Sequence, residues 1–67
     1  MHMTLNGEPF DQAREGWSVA DLLTHQGLAT QRLALLLDDE VVRRANFGQT
    51  PLREGCRVEI VQMVGGG

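Results

Sequence analysis

Short hydrophobic runs alternate with polar turns along the chain, and their spacing predicts a first hairpin. A strand over residues 3–6 ends at Asn6-Gly7, a pair that favours a tight turn because both residues tolerate positive φ. The returning strand covers residues 8–14, with Pro9 near its start, where the missing backbone donor costs least. The two strands are therefore expected to pair antiparallel.

The next segment carries the signals of a short helix. Ser18 is a good N-cap, and Asp21 three residues later completes a pair similar to a capping box. Trp17 precedes the cap and is expected to pack on Leu22, and Gly27 supplies a left-handed C-terminal residue. The apolar stripe of the helix consists of Val19, Leu22 and Leu23. A helix of about eight residues is too short to be stable alone, so it must lie on a sheet.

The second half of the chain predicts three more extended segments. Residues 33–37 are a continuous apolar run, and its length predicts a strand buried on both faces or nearly so. An acidic turn at 38–40 leads to a short strand at 41–43, and residues 45–52 are predicted to be irregular. Residues 57–64 form the last strand, whose side chains alternate between two faces.

The order of these elements is strand, strand, helix, strand, short strand, strand. It predicts an α+β fold, the ubiquitin-like β-grasp, in which one main helix packs across a small mixed sheet. In that arrangement the final strand lies beside the first and parallel to it. A ferredoxin-like arrangement needs two helices, and this pattern supplies one. Residues 1–64 are therefore interpreted as the β-grasp domain, with a flexible glycine tail at 65–67.

Size and composition restrict the function further. A chain of 67 residues has a small core and modest stability. The single cysteine, Cys56, cannot form an internal disulfide, so a reducing cytoplasm is the expected compartment. The sequence has neither a signal-peptide pattern nor an apolar run long enough for a membrane span.

The charge balance favours a protein partner over nucleic acid. The net charge is −3, and all six basic residues are arginines that form no basic stripe with interleaved aromatics. An acidic surface suggests a partner with basic residues around its binding site.

The glycines at the end of the sequence are the strongest candidate for chemistry. Gly65, Gly66 and Gly67 directly follow the predicted last strand. Glycine has no Cβ, so such an arm can enter a channel too narrow for other residues. The four residues from 64 to 67 reach at most about 13 Å, enough to place the Gly67 carboxylate in another protein's active site. The alternatives are a frayed terminus or a cloning remnant.

Three segments together match the pattern of a known family. They are Leu-Asn-Gly-Glu at residues 5–8, Ser-Val-Ala-Asp-Leu-Leu at 18–23, and the ending Val-Glu-Ile-Val-Gln-Met-Val-Gly-Gly-Gly at 58–67. The chain thereby resembles the ThiS family, the small sulfur carriers of thiamine biosynthesis. The resemblance covers essentially the whole chain, although residues 29–56 match by pattern more than by identity. The molybdopterin-pathway carrier, which has the same fold and ends in Gly-Gly, is the runner-up.

The resemblance implies a role for the tail and a set of partners. A ThiF-like enzyme, which holds the ATP and magnesium, would adenylate the carboxylate of Gly67. A sulfur donor protein or persulfide would convert the adenylate to a thiocarboxylate, which would give its sulfur to a ThiG-like thiazole synthase. Gly65 and Gly66 would give the tail access to these active sites. The chain itself would be no enzyme and would bind no metal or cofactor.

The last strand also predicts a docking surface. Val61 and Met63 point outward, and with Val64 at the root of the tail they would form an exposed apolar patch of the kind that marks interfaces. The alternative is that these side chains pack against a neighbouring loop.

Other chemistry-bearing residues have simpler interpretations. Cys56 is expected to be a small buried hydrophobe, and His25 to interact with the C-terminal end of the helix dipole. His2, His25 and one cysteine do not have the spacing of a metal site. Two function classes remain beside sulfur transfer: a ubiquitin-like modifier attached to lysines of other proteins, and a non-covalent β-grasp binding module.

Overall fold

Five strands form one mixed sheet in the computed structural model, which describes residues 1–63. The elements in chain order are β1 (Met3–Leu5), β2 (Glu8–Phe10), α1 (Val19–Gln26), β3 (Leu33–Leu37), β4 (Glu40–Val42), a 3₁₀ segment (Arg44–Gln49) and β5 (Arg57–Gln62). The strand order is β2-β1-β5-β3-β4, with β5 in the centre. It runs parallel to β1 and antiparallel to β3. This confirms the predicted order of elements and the parallel pairing of the first and last strands.

The first hairpin forms at the predicted turn, but β2 is shorter than predicted. Asn6 and Gly7 both have positive φ, +52° and +82°, between the paired residues Leu5 and Glu8. The returning strand ends at Phe10 instead of residue 14, because Met3, which pairs with Phe10, is the first residue of β1.

The backbone of His2, just before β1, forms hydrogen bonds with the turn before β5 and not with β2. The carbonyl of His2 accepts the N–H of Gly55 at 2.7 Å, and the N–H of His2 donates to the Glu54 carboxylate at 3.1 Å. These bonds tie the start of the chain to the turn before β5. The hairpin therefore cannot continue past Met3.

The helix follows its local signals closely. The hydroxyl of Ser18 accepts the N–H of Asp21 at 3.3 Å, and the carboxylate of Asp21 accepts the N–H of Ser18 at 2.8 Å, which completes the capping box. Gly27 ends the helix with φ +70°. Trp17 is half-buried against the core, with its ring centroid 5.3 Å from that of His25.

Two sequence predictions in the second half were wrong. Strand β3 is not buried on both faces. Leu33 and Leu35 face the core and are buried, whereas Ala34 and Leu36 on the other face are half-buried. Leu37, at the end of the strand, is also half-buried although it packs against the core. Residues 44–49 form a 3₁₀ segment instead of irregular chain, and that segment places Phe47 in the core.

The boundaries of the last two strands differ slightly from those predicted from the sequence. Glu40 begins β4 instead of ending the turn, and the last strand ends at Gln62 within residues 1–63. Asp38 and Asp39 therefore form a two-residue turn, with φ +50° and +70°.

The exposed acidic turn also has a structural role: a carboxylate oxygen of Asp38 accepts the N–H of Arg57 at 2.8 Å. The Asp39 carboxylate pairs with the Arg57 guanidinium, and this hydrogen bond and charge raise the pKa of Arg57.

The core lies between α1 and the inner face of the sheet. Its buried residues within the described chain are Met3, Ala13, Val19, Leu22, Leu23, Leu33, Leu35, Phe47, Leu52, Cys56 and Val58. All are apolar or small, and no polar or charged side chain among residues 1–63 is buried. Burial of these apolar side chains is therefore the main source of stability.

Truncation in this core should be costly. Leu35 is completely buried, so Leu35→Ala should lower the free energy of unfolding by about 2–5 kcal/mol through lost burial and a residual cavity. Urea denaturation followed by circular dichroism measures the change. The matched control is Val41→Ala on the neighbouring strand, which should change stability by less than about 0.5 kcal/mol because Val41 is 71% exposed. Equal losses in the two variants would contradict this account of the core.

Candidate functional site

The candidate site is built on β5, the central strand, which is followed by Met63, Val64 and then the glycines. Alternation along β5 places Val58 toward the helix, where it is completely buried. Val61 and Met63 point to the opposite face and are 53% and 54% exposed. The predicted outward orientation is therefore confirmed, and such exposure disagrees with the alternative that they pack under a loop.

The exposed apolar surface extends beyond the residues predicted from the sequence. Ala34 of β3 lies opposite Val61, so the two share a face. Leu36, two residues further on, lies on the same face and opposite Val41 of β4. We call the set Ala34, Leu36, Val41, Val61 and Met63 the open-face patch. It crosses three adjacent strands on the side of the sheet that the helix leaves uncovered.

Sequence reasoning missed the β3 and β4 part of this patch. Leu36 lies in an uninterrupted apolar run, which has no alternation to separate its two faces. Val41 lies in a predicted strand, but the side to which it points depends on the pairing register with Leu36. Comparison of the possible hairpin registers around Asp38-Asp39 could have shown that Val41 shares a face with Leu36.

A groove lies beside the end of β5. The N–H of Met63 donates to the carbonyl of Arg32 at 2.8 Å, which holds the end of the strand to the segment before β3. The groove has a volume of about 420 Å³ and is lined by Ala29, Gln31, Arg32, Gln62 and Met63. The groove therefore adjoins the open-face patch at Met63, the last residue that the structure describes.

The reactive part of the predicted site lies outside the described residues. The residues that the structure does not describe are Val64, Gly65, Gly66 and Gly67. The predicted boundary between domain and tail lies among them. Their assigned roles therefore stay predictions.

The remaining residues considered for chemistry, Cys56, His25 and His2, are explained by burial or by contacts within the domain. Cys56 is 5% exposed, which confirms it as a small buried hydrophobe. His25 is exposed in the last turn of α1 beside Trp17, and His2 contacts Asp11 at 2.6 Å. Within residues 1–63 no group of three His, Cys, Asp or Glu side chains is arranged to hold a metal ion. The same part of the chain includes no helix with the length and apolar character needed to cross a membrane.

The comparison with protein families decides the identity of the chain. The model of the ThiS family matches residues 3–67, a range that runs through the terminal glycines. The chain belongs to the ThiS family. As a member of this family it is a sulfur carrier of thiamine biosynthesis and not itself a catalyst.

Solved structures show the same fold in this family. The chain is similar to the crystal structure of a thiamine biosynthesis protein (ThiS) from Geobacter metallireducens, with a TM-score of 0.83 and 32% identity over 100% of both chains. The solution structure of a thiamine biosynthesis protein from the same organism gives a TM-score of 0.78 and 33% identity, covering 100% of this chain and 88% of that one. These matches confirm the ubiquitin-like β-grasp.

Two curated relatives differ greatly in length. The Sulfur carrier protein ThiS of Thermus thermophilus is 35% identical over 63 residues, which are 94% of this chain and 95% of that protein. A Thiazole synthase of Magnetococcus marinus is 36% identical over 67 residues, which are 100% of this chain. The chain spans only 20% of the length of that thiazole synthase.

Proposed function

We propose that this ThiS-family chain carries sulfur as a thiocarboxylate on Gly67 and delivers it for formation of the thiamine thiazole. The observation that carries the proposal is the match of the family model through residue 67, which includes all three terminal glycines. Family membership favours the thiamine pathway over the molybdopterin pathway.

The chemistry explains why the tail must be activated. A carboxylate is a poor acyl donor because its oxygen is a poor leaving group. The carboxylate of Gly67, with an ordinary pKa of about 3.3–3.7, is ionised at neutral pH and can attack the α-phosphate of ATP. Pyrophosphate leaves, and the resulting acyl adenylate has AMP as a good leaving group.

Sulfur enters in the second step. A sulfur nucleophile attacks the carbonyl carbon of Gly67 and AMP leaves. If the nucleophile is a persulfide, a thiol must then cleave the S–S bond to release the thiocarboxylate. Reducing surroundings suit this chemistry, which supports the cytoplasm as the proposed compartment. In this proposal a ThiF-like partner holds the ATP and magnesium, and the chain supplies the carboxylate.

Thiazole synthase is the proposed acceptor of the sulfur. A protein named thiazole synthase includes a segment similar to the whole of this chain within one polypeptide. Covalent linkage gives two domains a high effective concentration for each other. This relative therefore supports a ThiG-like enzyme as the second partner.

The open-face patch is the proposed docking surface for the adenylating partner. Its central residue, Val61, is more than half exposed and lies on the strand that leads to the tail. Burial of apolar side chains at an interface would fix the domain while the glycines extend into the active site. Val64, which follows Met63, is included in this surface as part of the proposal.

Intact-mass measurement tests the proposed function. The chain is incubated with ATP, magnesium, a ThiF-like enzyme and a sulfur source, and the mass should show replacement of one oxygen by sulfur at Gly67. Omission of ATP is the control. An unchanged mass would contradict the proposal. A ladder of adducts in cell extracts that collapses when Gly67 is deleted would instead indicate a ubiquitin-like modifier.

The passage of the tail into the active site should depend on its small size. Gly66→Ala adds a methyl group next to the reactive residue, and we expect a drop of about tenfold or more in ATP–pyrophosphate exchange, equal to about 1.4 kcal/mol in the barrier. The matched control is Gly48→Ala, because a Cβ at Gly48 meets no atom within 4 Å. An unchanged exchange rate in Gly66→Ala would rule out steric access as the role of this glycine.

The docking surface can be tested by placing a charge in it. Val61→Asp should weaken capture of the adenylating enzyme in a pull-down by about tenfold or more, because a carboxylate would lose water at an apolar contact. Thr24→Asp adds the same charge at an exposed position of α1 and should leave capture unchanged. Equal capture by wild type and Val61→Asp would show that the enzyme binds elsewhere.

A further inference from the structure

Asn6 connects the first hairpin to the strand that carries the tail. Its backbone N–H donates to the carbonyl of Val58 at 2.8 Å. Its side-chain carbonyl accepts the N–H of Ile60 at 2.7 Å. One residue thus makes two consecutive contacts along β5, the second through its side chain.

The side-chain bond replaces a missing strand contact. Strand β1 pairs with β5 at Thr4–Arg57 and Leu5–Val58, and then the chain turns away at Asn6 and Gly7. Regular continuation of the parallel ladder would need a backbone acceptor beside Ile60. Because of the turn, the side chain of Asn6 supplies that acceptor.

The two sides of β5 are held unequally as the strand approaches the tail. On the β3 side, register pairs continue from Val58 to Gln62, and the Met63 N–H bonds to Arg32 beyond them. On the β1 side, within residues 1–63, strand pairing ends at Val58 and the Asn6 bond to Ile60 extends the attachment by two residues. The last part of β5 is therefore positioned on this side by one side chain.

We propose that Asn6 is a positioning residue for the sulfur-carrier reaction: its side-chain carbonyl fixes the end of β5, the strand that precedes the glycines, in the position that the adenylating partner binds. The inference rests on the proposed function, because Gly67 must reach a partner's active site while the domain is docked. Loss of the bond lets the end of β5 move away from the hairpin. The fraction of molecules in which the end of β5 has the position needed for binding falls, and the apparent affinity for the partner falls by the same factor.

The turn allows a clean pair of variants. Asn6→Gly keeps the left-handed conformation, φ +52°, but removes the side-chain acceptor. Asn6→Asp keeps an acceptor oxygen, and aspartate also tolerates this conformation. Asn6 is exposed, so water can bond the freed N–H of Ile60 and the domain should still fold.

Steady-state adenylation kinetics with the ThiF-like enzyme test the role. For Asn6→Gly we expect the KM for the carrier to rise by about three- to tenfold, because a smaller fraction of molecules is able to bind. The kcat should stay within about twofold of wild type, because the molecules that do bind react normally. Asn6→Asp should restore the KM to within about twofold of wild type. Ser18→Ala, which removes the helix cap, is the control for a general loss of stability and should leave the KM unchanged.

Amide hydrogen exchange supplies a readout that is independent of the partner. Asn6→Gly should accelerate exchange at Ile60, while Leu35 remains as protected as in wild type. An unchanged KM with faster exchange at Ile60 would overturn the positioning role, as would an equal rise of KM in Ser18→Ala. If wild type is not adenylated at all, the proposed function fails and the positioning role with it. If wild type reacts and Asn6→Gly matches it, the positioning role alone fails.

Discussion

The structure depends on the insertion of β5 between β1 and β3. This strand comes last in the sequence, yet it is the centre of the sheet and joins the first hairpin to the second. Its inward residue Val58 is completely buried, next to the helix and strand residues that form the core. Without β5 the two hairpins would share no strand partner. The fold and the position of the strand that precedes the glycines are therefore set by the same pairing.

Among residues 1–63, α1 packs on one face of the five-stranded sheet, and no described element covers the other face. This open face holds the residues of the open-face patch, so a domain with a small core also has an apolar surface on the other side of its sheet. The proposed chemistry needs no catalytic side chain from the domain. In the proposed function, the domain supplies the open-face patch for docking, and β5 connects that patch to the segment that ends in Gly67.

Asn6 shows how a local turn signal can have a second use. Its tolerance of positive φ makes the hairpin, and its side-chain carbonyl bonds to Ile60, 54 residues later. Asp38 combines the same two uses at the other hairpin, where its carboxylate accepts the N–H of Arg57. Both turns thus bond to β5, at positions near its end and at its start.

Local interactions determined the parts that the sequence alone predicted. The Ser18 cap, the Gly27 stop and the Asn6-Gly7 turn act within a few residues, so their patterns are visible in the chain, as is the glycine ending that carries the family resemblance. Tertiary structure decided which face of β3 is buried, that Val41 is exposed and that Phe47 is buried. An uninterrupted apolar run has no alternation to mark its faces, and register with a distant strand fixes which residues the helix covers.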